Sequence, residues 1–106
     1  MESDAPPAFA IRLIGPMRLT LDGVELPLPA SRKCRALLGY LALSGRPESR
    51  DRLCELFWDV PDDPRGSLRW NLSQLRKALG SEASRIATLG DRISLTLADA
   101  ASDWHR

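Results

Sequence analysis

The sequence PRGSLRWNLSQLRKALG at residues 64–80 has the most informative pattern of the chain. Its leucines recur at helical spacing, and a helix over 64–79 places them in one stripe that packs on other helices: Leu68, Leu72, Leu75 and Leu79. Asp63 stands before a proline, the arrangement favoured at a helix start, and Gly80 ends the helix. The opposite face is polar and basic but carries Trp70, an aromatic residue that is costly to expose unless it contacts a partner.

Two shorter helices are predicted before this one. Ser31 caps a helix over 32–43 that ends at Gly45, and Ser49 caps a helix over 50–58. The apolar spacing predicts the following inward-facing residues: Ala36, Leu37, Tyr40, Leu41, Leu53, Leu56 and Phe57. The second and third helices, joined by an acidic loop, form a helix-turn-helix variant whose turn is longer than the tight form.

Alternating apolar residues predict strands on both sides of the helices. Three strands fit within residues 8–28, with Asp22-Gly23 as a type I′ turn between the second and the third. Pro27 and Pro29 cannot donate to a ladder, so the third strand lies at an edge or ends there. Alternation also flanks Gly90-Asp91, which predicts a hairpin with its tip there. The order of strands, three helices and hairpin predicts an α+β fold, a winged helix-turn-helix.

Length and composition fit one soluble globular domain. The chain has 106 residues, and we expect a lead-in at 1–7, the winged-helix domain at 8–98 and a tail at 99–106. No apolar run approaches the roughly 20 residues of a membrane span, and the acidic N-terminus lacks the apolar stretch of a secretory signal. We therefore expect a cytoplasmic protein whose Cys34 and Cys54 are reduced, buried thiols on helices.

Charge is unevenly distributed although the formal net charge is only +1. Residues 64–92 hold six basic and two acidic side chains, whereas the rest of the chain holds nine basic and twelve acidic ones. A basic segment on a mildly acidic protein suggests a directed interaction with an anion, and nucleic acid is the first candidate. Solvated helix faces carry similar charge patterns, so charge alone leaves a plain surface open.

The outer face of the helix over 64–79 has side chains suited to a DNA major groove. Gln74 can form two hydrogen bonds with adenine, and the indole of Trp70 can cover a thymine methyl. Arg92, near the hairpin tip, suits a narrow minor groove, whereas Arg85 is equally explained as a surface charge. In the alternative interpretation, Trp70 packs under a loop or an appended domain and the arginines are only solvated.

Three stretches resemble the OmpR/PhoB-type winged-helix DNA-binding domain, in the form found at the N-terminus of SARP-type bacterial transcription activators. They are IRLIGPMRLTLDG (11–23), LPASRKCRALLGYLALSGRPESRDRLCELFW (28–58) and SLRWNLSQLRKALG (67–80). The resemblance implies an N-terminal antiparallel sheet, a three-helix core and a C-terminal β-hairpin wing. It also implies sequence-specific binding of duplex DNA in transcription regulation, with the helix 64–79 in the major groove and the wing 85–97 on the minor groove or backbone.

The same resemblance assigns individual residues to the DNA. The residues that it implies for contacts with bases are Arg69, Trp70, Ser73 and Gln74. Those that it implies for contacts with phosphates are Arg65, Ser67, Arg76 and Lys77. Trp58 matches a tryptophan that donates its indole N–H to a phosphate in related domains, although core packing explains it equally well. The loop 59–63 matches a segment that contacts RNA polymerase, although helix capping explains its acidity nearly as well. Relatives bind direct repeats head to tail, and many carry arginine at the positions of Ser73 and Gln74.

Two other classes of function compete with DNA binding. Enzyme activity is not expected, because the one histidine, His105, lies one residue before the C-terminus and no catalytic motif is present. No metal or cofactor is expected, since the acidic loop 59–63 lacks the spacing of a calcium loop. A winged helix that binds a protein partner remains open, with Trp70 as its anchor and the arginines facing an acidic surface. Steep salt dependence would distinguish DNA binding from this alternative.

Overall fold

The computed structural model describes residues 9–58, 63–97 and 101–102, the last two by their backbone alone. The elements follow in the order β1 (Phe9–Arg12), β2 (Arg18–Leu21), β3 (Val24–Leu26), α1 (Arg32–Ser44), β4 (Glu48–Ser49), α2 (Arg50–Phe57), α3 (Pro64–Leu79), a 3-10 helix (Gly80–Arg85), β5 (Ile86–Leu89), β6 (Arg92–Leu95) and β7 (Ala101–Ser102). The chain divides into two compact units, residues 1–28 with 97–106, and residues 29–96.

The first unit is a four-stranded sheet in the order β3-β2-β1-β7. β1 and β2 are antiparallel with Phe9 opposite Leu21. The Asp22-Gly23 turn after β2 has positive φ at both residues, which agrees with the predicted type I′ turn. β3 lies at the edge of the sheet, which confirms the prediction made from its prolines. Ile11 and Leu19 are buried like Phe9, so the alternating apolar residues of β1 and β2 form a buried face of the sheet.

β7 was not predicted from the sequence. It pairs in parallel with β1, with Ala101 opposite Ala10 and Ser102 opposite Ile11. It falls within the segment 99–106 that the sequence analysis assigns to a tail. A strand of two residues is too short to show an alternating pattern, so no feature of the sequence marks it.

Each of the α-helices α1, α2 and α3 begins at a side-chain cap that the sequence predicts. The acceptor and donor pairs are Ser31 Oγ with Cys34 N (3.2 Å), Ser49 Oγ with Arg52 N (3.0 Å) and Asp63 Oδ1 with Gly66 N (3.0 Å). Gly45 ends α1 in the left-handed region at φ 67°, where glycine avoids the steric cost of a side chain. Because these signals are local, the predicted and observed helix boundaries agree closely.

The helices of the second unit bury one continuous set of apolar side chains. The buried apolar residues of the helices are Cys34, Leu37, Leu38, Leu41, Ala42, Leu53, Leu68, Leu72, Leu75 and Leu79. The leucine stripe predicted for α3 is confirmed, but the inward positions predicted for Ala36 and Leu56 are wrong, because both residues are exposed. α1 is apolar around most of its circumference, so its periodicity permits more than one stripe. The larger Leu38 buries more apolar area than Ala36 and faces the core instead.

The predicted hairpin is confirmed as the wing of the second unit. β5 and β6 are antiparallel, with Ile86 opposite Leu95 and the turn at Gly90-Asp91. β4 adds a third strand by pairing with β6, with Glu48 opposite Ile93, so that the sheet order is β4-β6-β5. Sequence reasoning missed β4, since its two residues lie between the end of one helix and the start of the next. The wing is therefore joined to the segment that leads into α2.

Glu48 is a buried carboxylate, only 8% exposed, at the junction of α1 and β4. Its Oε2 accepts hydrogen bonds from Ser44 Oγ (2.7 Å) and Arg46 Nε (3.4 Å). The hydrogen bond from Ser44, supported by the Arg46 guanidinium, lowers the pKa of Glu48 below its usual value. The charged carboxylate thus has its polar partners and holds the end of α1 next to the wing sheet.

Candidate nucleic-acid interface

α3 has two unlike faces. Its leucine stripe is at most 2% exposed. The opposite side, called here the outer surface of α3, consists of Arg69, Trp70, Ser73, Gln74 and Lys77. All five are exposed except Gln74, which is half-buried. They span about 140° of the helix circumference at 100° per residue. The structure therefore brings the four predicted base-contacting residues onto one continuous surface.

Trp70 is the most unusual residue of this surface. It is 56% exposed, although indole rings are usually well buried in folded proteins. In the described part of the chain, no loop covers it, so the alternative in which it packs beneath one is not supported there. A large apolar ring on a basic helix is typical of a contact surface, for either DNA or a protein.

The charge of α3 has one sign. Its 16 residues include Arg65, Arg69, Arg76 and Lys77 but no aspartate or glutamate. Arg76 and Lys77 lie in the last turn, where the helix dipole favours cations, so their position has a structural explanation as well. Arg69 lies in the middle of the helix, is exposed, and forms no ion pair within the described residues. Its charge is free to meet an external anion.

Arg65, a predicted phosphate ligand, already has two carboxylate partners. Its Nη2 donates a hydrogen bond to Asp51 Oδ1 in the first turn of α2. Its Nη1 lies 3.7 Å from Asp91 Oδ1 at the tip of the wing. The hydrogen bond with Asp51 is the main cause of a raised pKa for the Arg65 guanidinium. Arg65 therefore differs from Arg69, which forms no ion pair within the described residues.

Two further arginines hold the wing from within the unit. Arg76 Nη2 donates to the Ile86 carbonyl oxygen at 3.3 Å, at the start of β5. Arg85 donates from Nε to Glu82 Oε1 at 2.7 Å and from Nη1 to the Thr96 carbonyl oxygen at 3.0 Å. Arg85 is therefore not the plain surface charge that the sequence allowed, because its side chain is only 12% exposed and is paired. Arg76 retains a half-buried side chain with donors beyond the one used here.

The tip of the wing presents a pair of unlike side chains. Arg92 is exposed, as expected for a residue that would enter a minor groove. Leu89 lies directly opposite Arg92 in the hairpin and is 62% exposed. Sequence reasoning did not select Leu89, although an apolar residue next to a predicted hairpin tip was a visible anomaly. An arginine with an adjacent apolar side chain is a combination used by minor-groove binders.

Trp58 lies at the C-terminal end of α2 among other aromatic residues. Its ring centroid is 6.0 Å from that of Phe57, whose ring in turn meets Tyr40 edge-on at 5.8 Å. Lys33 Nζ lies 5.6 Å from the Trp58 ring, within the range of a cation–π contact. Trp58 is half-buried, which suits both packing and a phosphate contact through its N–H. Residues 59–62 of the predicted polymerase-contacting loop lie outside the described residues.

The described residues offer little for metal or cofactor chemistry. No group of three potential metal-ligating side chains occurs among them, and His105 lies outside them. Cys34 is buried and Cys54 is half-buried rather than fully buried as predicted. Burial raises the pKa of both thiols, which keeps them protonated and weakly reactive. In residues 9–58 and 63–97, no helix is long and apolar enough to cross a membrane.

Comparison with known proteins finds similarity to a transcriptional regulator in both sequence and structure. No family model matches the chain. Over 71 residues, or 64% of the chain, it is 37% identical to the transcriptional regulatory protein EmbR of Mycobacterium tuberculosis, and EmbR of Mycobacterium bovis matches equally well. The match covers 18% of either relative. The chain thus spans about a fifth of the length of these curated relatives.

The structural match covers more of the chain. The fold is similar to that of Mycobacterium tuberculosis EmbR, solved in complex with a low affinity phosphopeptide. The TM-score is 0.74 at 27% identity, over 88% of this chain and 27% of that chain. The likeness confirms the predicted α+β winged helix, with an N-terminal antiparallel sheet, helices and a C-terminal hairpin.

Proposed function

We propose that this chain, which has the winged-helix fold of SARP-type transcription regulators, binds duplex DNA in a sequence-specific manner. Its homology to transcriptional regulators supports a role in transcription regulation in the cytoplasm. The observation that carries the proposal is the outer surface of α3, where an exposed Trp70 lies among cations on a helix without acidic residues. Such a surface fits a major groove, which presents base edges and thymine methyls between two rows of phosphates.

The exposed residues of α3 divide by chemistry into two roles. Arg69 has the paired donors that recognise guanine, Gln74 has the donor and the acceptor that recognise adenine, and Trp70 supplies an apolar contact to thymine. Ser73 adds a short hydrogen-bonding group on the same surface. Lys77, at the end of the helix, suits a phosphate. Ser67, Arg76 and Trp58 are further phosphate candidates, each with a partly buried side chain that the DNA backbone would have to approach.

The wing supplies the second contact. Arg92 meets the minor groove or the backbone next to it, because narrow minor grooves concentrate negative potential. α3 and the wing then hold the duplex at two adjacent places, which fixes the position of the domain along the helix axis. A single winged-helix module buries only about 600–1,000 Å² on DNA, so two copies on direct repeats, arranged head to tail, would strengthen binding. A contact with RNA polymerase through the loop 59–63 would link binding to activation.

Recognition of a protein partner is the second candidate function. Its supporting observation is the same exposed Trp70, because buried tryptophans with nearby arginines often dominate the energy of protein interfaces. In that case the basic face would meet an acidic partner surface. Binding would then be selective for one protein and would not depend on the order of bases in a duplex.

A selection from random duplex DNA tests the proposal. The purified chain is compared with Arg69→Ala and Gln74→Ala, which remove two predicted base contacts. Arg18→Ala is the matched control, since it removes an exposed arginine from β2 instead of α3. We expect the unchanged chain and Arg18→Ala to enrich the same short motif, and the two α3 variants to lose or alter it.

Other outcomes separate the candidates. Salt-sensitive binding without an enriched motif contradicts sequence-specific recognition and leaves a backbone binder. Absence of DNA binding at low salt contradicts the proposal as a whole and favours the protein partner. Loss of the motif in Arg18→Ala as well would show that α3 is not its main determinant.

A further inference from the structure

Arg65 lies where a cation is electrostatically unfavourable. It is the second residue of α3, and the N-terminal end of a helix carries partial positive charge that disfavours basic side chains. The first turn of α3 contains no acidic residue, and the carboxylate of the N-cap residue Asp63 already accepts a hydrogen bond from the Gly66 N–H. A basic residue in this position needs a compensating interaction from another element of the fold.

Two other elements provide that compensation. Asp51 comes from the first turn of α2, where its own charge is favourable, and it accepts a hydrogen bond from Arg65. Asp91 comes from the turn of the wing, with its carboxylate 3.7 Å from the guanidinium of Arg65. One side chain thus joins three elements: α2, α3 and the wing.

The same wing turn is also held by the backbone. The Arg50 N–H donates to the Asp91 carbonyl oxygen at 2.9 Å. Immediately beside it, Ser49 pairs with Arg92 in the β4-β6 ladder. Asp91 is therefore fixed through its carbonyl to the start of α2 and through its carboxylate to the start of α3. Arg92, the residue assigned to the minor groove, directly follows this double anchor.

We propose that Arg65 is a positioning residue, which sets the wing tip against the start of α3 and does not bind a phosphate. For its effect on DNA, this inference rests on the proposed function. Recognition at two adjacent grooves requires a fixed relation between α3 and Arg92, and Arg65 joins α3 to Asp91, the residue that precedes Arg92. Diverting Arg65 to a phosphate would leave Asp51 and Asp91 unneutralised beside a polyanion, which opposes binding.

Amide hydrogen exchange of the free protein tests the positioning role. The reporter is the Arg50 N–H, whose acceptor is the wing turn. In Arg65→Gln and in Asp91→Asn we expect this amide to exchange about two- to fivefold faster, the scale of exposed ion pairs. The double variant should exchange no faster than Arg65→Gln alone, because that single variant already removes the ion pair with Asp91. Lys77→Gln is the matched control and should leave the rate unchanged.

The outcome for the positioning role is decided in the absence of DNA. Unchanged Arg50 exchange in Arg65→Gln, or additive effects in the double variant, overturns it. Faster exchange of the leucine amides of α3 to the same extent would indicate general destabilisation and would also overturn it. These results hold whether or not the chain proves to bind DNA, so a failure of the proposed function remains distinguishable.

Salt dependence of duplex binding tests the second half of the inference. For a phosphate ligand, substitution reduces the slope of log affinity against log salt by about 0.9. We expect this reduction in Lys77→Gln. In Arg65→Gln we expect affinity to fall about two- to fivefold with a slope change less than half as large. An equal slope change in both variants would show that Arg65 binds a phosphate, contrary to the inference.

Discussion

The two faces of α3 belong to one helix with the same caps, yet one face is buried and the other is exposed to solvent. The leucine face is closed off from water by the rest of residues 29–96, with Leu68 and Leu75 completely buried. The outer surface ends in solvent, with Arg69 and Trp70 exposed. The leucines of the inner face pack against other residues of the chain, whereas the exposed side chains of the outer surface are available to an external partner. Substitutions on the inner face should therefore lower the stability of the fold, whereas substitutions on the outer surface should weaken binding.

The largest effect is expected on the inner face. Leu75→Ala should lower the free energy of unfolding by about 2–5 kcal/mol, since it opens a cavity at a fully buried position. Urea denaturation followed by circular dichroism measures the change. DNA binding should fall only in proportion to the unfolded fraction. A native-like stability for this variant would contradict the assignment of the inner face.

An intermediate effect is expected on the outer surface. Trp70→Ala should weaken binding to the selected duplex by about 1–3 kcal/mol, the scale of one good base contact. Its free energy of unfolding should stay within about 0.5 kcal/mol of the unchanged chain, because the ring is mostly exposed. Titration calorimetry and urea denaturation give the two values. If the variant unfolds instead, Trp70 belongs to the core and the contrast between the faces disappears.

The smallest effect is expected in the first turn of α3, at the N-terminal cap that both faces of the helix share. A methyl group at Gly66 would collide with the Asp63 carboxylate that caps the helix. Gly66→Ala should gain about 1 kcal/mol of helix propensity and lose about as much from the cap, so little net change is expected. In an Asp63→Ala background, the same substitution should stabilise the fold by about 1 kcal/mol. Denaturation of all four proteins measures this coupling, and additive effects would contradict the cap geometry.

Sequence reasoning succeeded where the information is local. α3 has a capping aspartate, a proline at its first position, a leucine stripe and a terminal glycine, and its predicted bounds coincide with the observed ones. The Asp22-Gly23 and Gly90-Asp91 turns are equally local and are found where predicted. The inward face of α1 was misjudged because its apolar residues surround the helix, so only packing against other elements selects Leu38. β4 and β7 depend on partners distant in sequence.

The candidate site shows the same division. Helical spacing places Arg69, Trp70 and Ser73 together without any knowledge of the tertiary fold. Spacing cannot reveal that Arg65 meets carboxylates from two other elements, or that Arg76 bonds to the wing backbone. Leu89 was missed although it lies on the strand face opposite Ile86, where an alternating pattern predicts exposure. The partners of a charged side chain depend on tertiary contacts, and helical spacing in the sequence does not reveal these contacts.

The short strand β4 has a consequence for the order of folding. It precedes α2 and α3 in the chain, while its partner β6 follows them, so their pairing closes a loop that contains both helices. Helices and hairpins form within about 10 μs, whereas contacts between distant segments form more slowly and limit folding rates. The hairpin and α3 can thus form early and independently. The pairing of Glu48 and Ser49 with β6 is therefore expected in a later and slower step of folding.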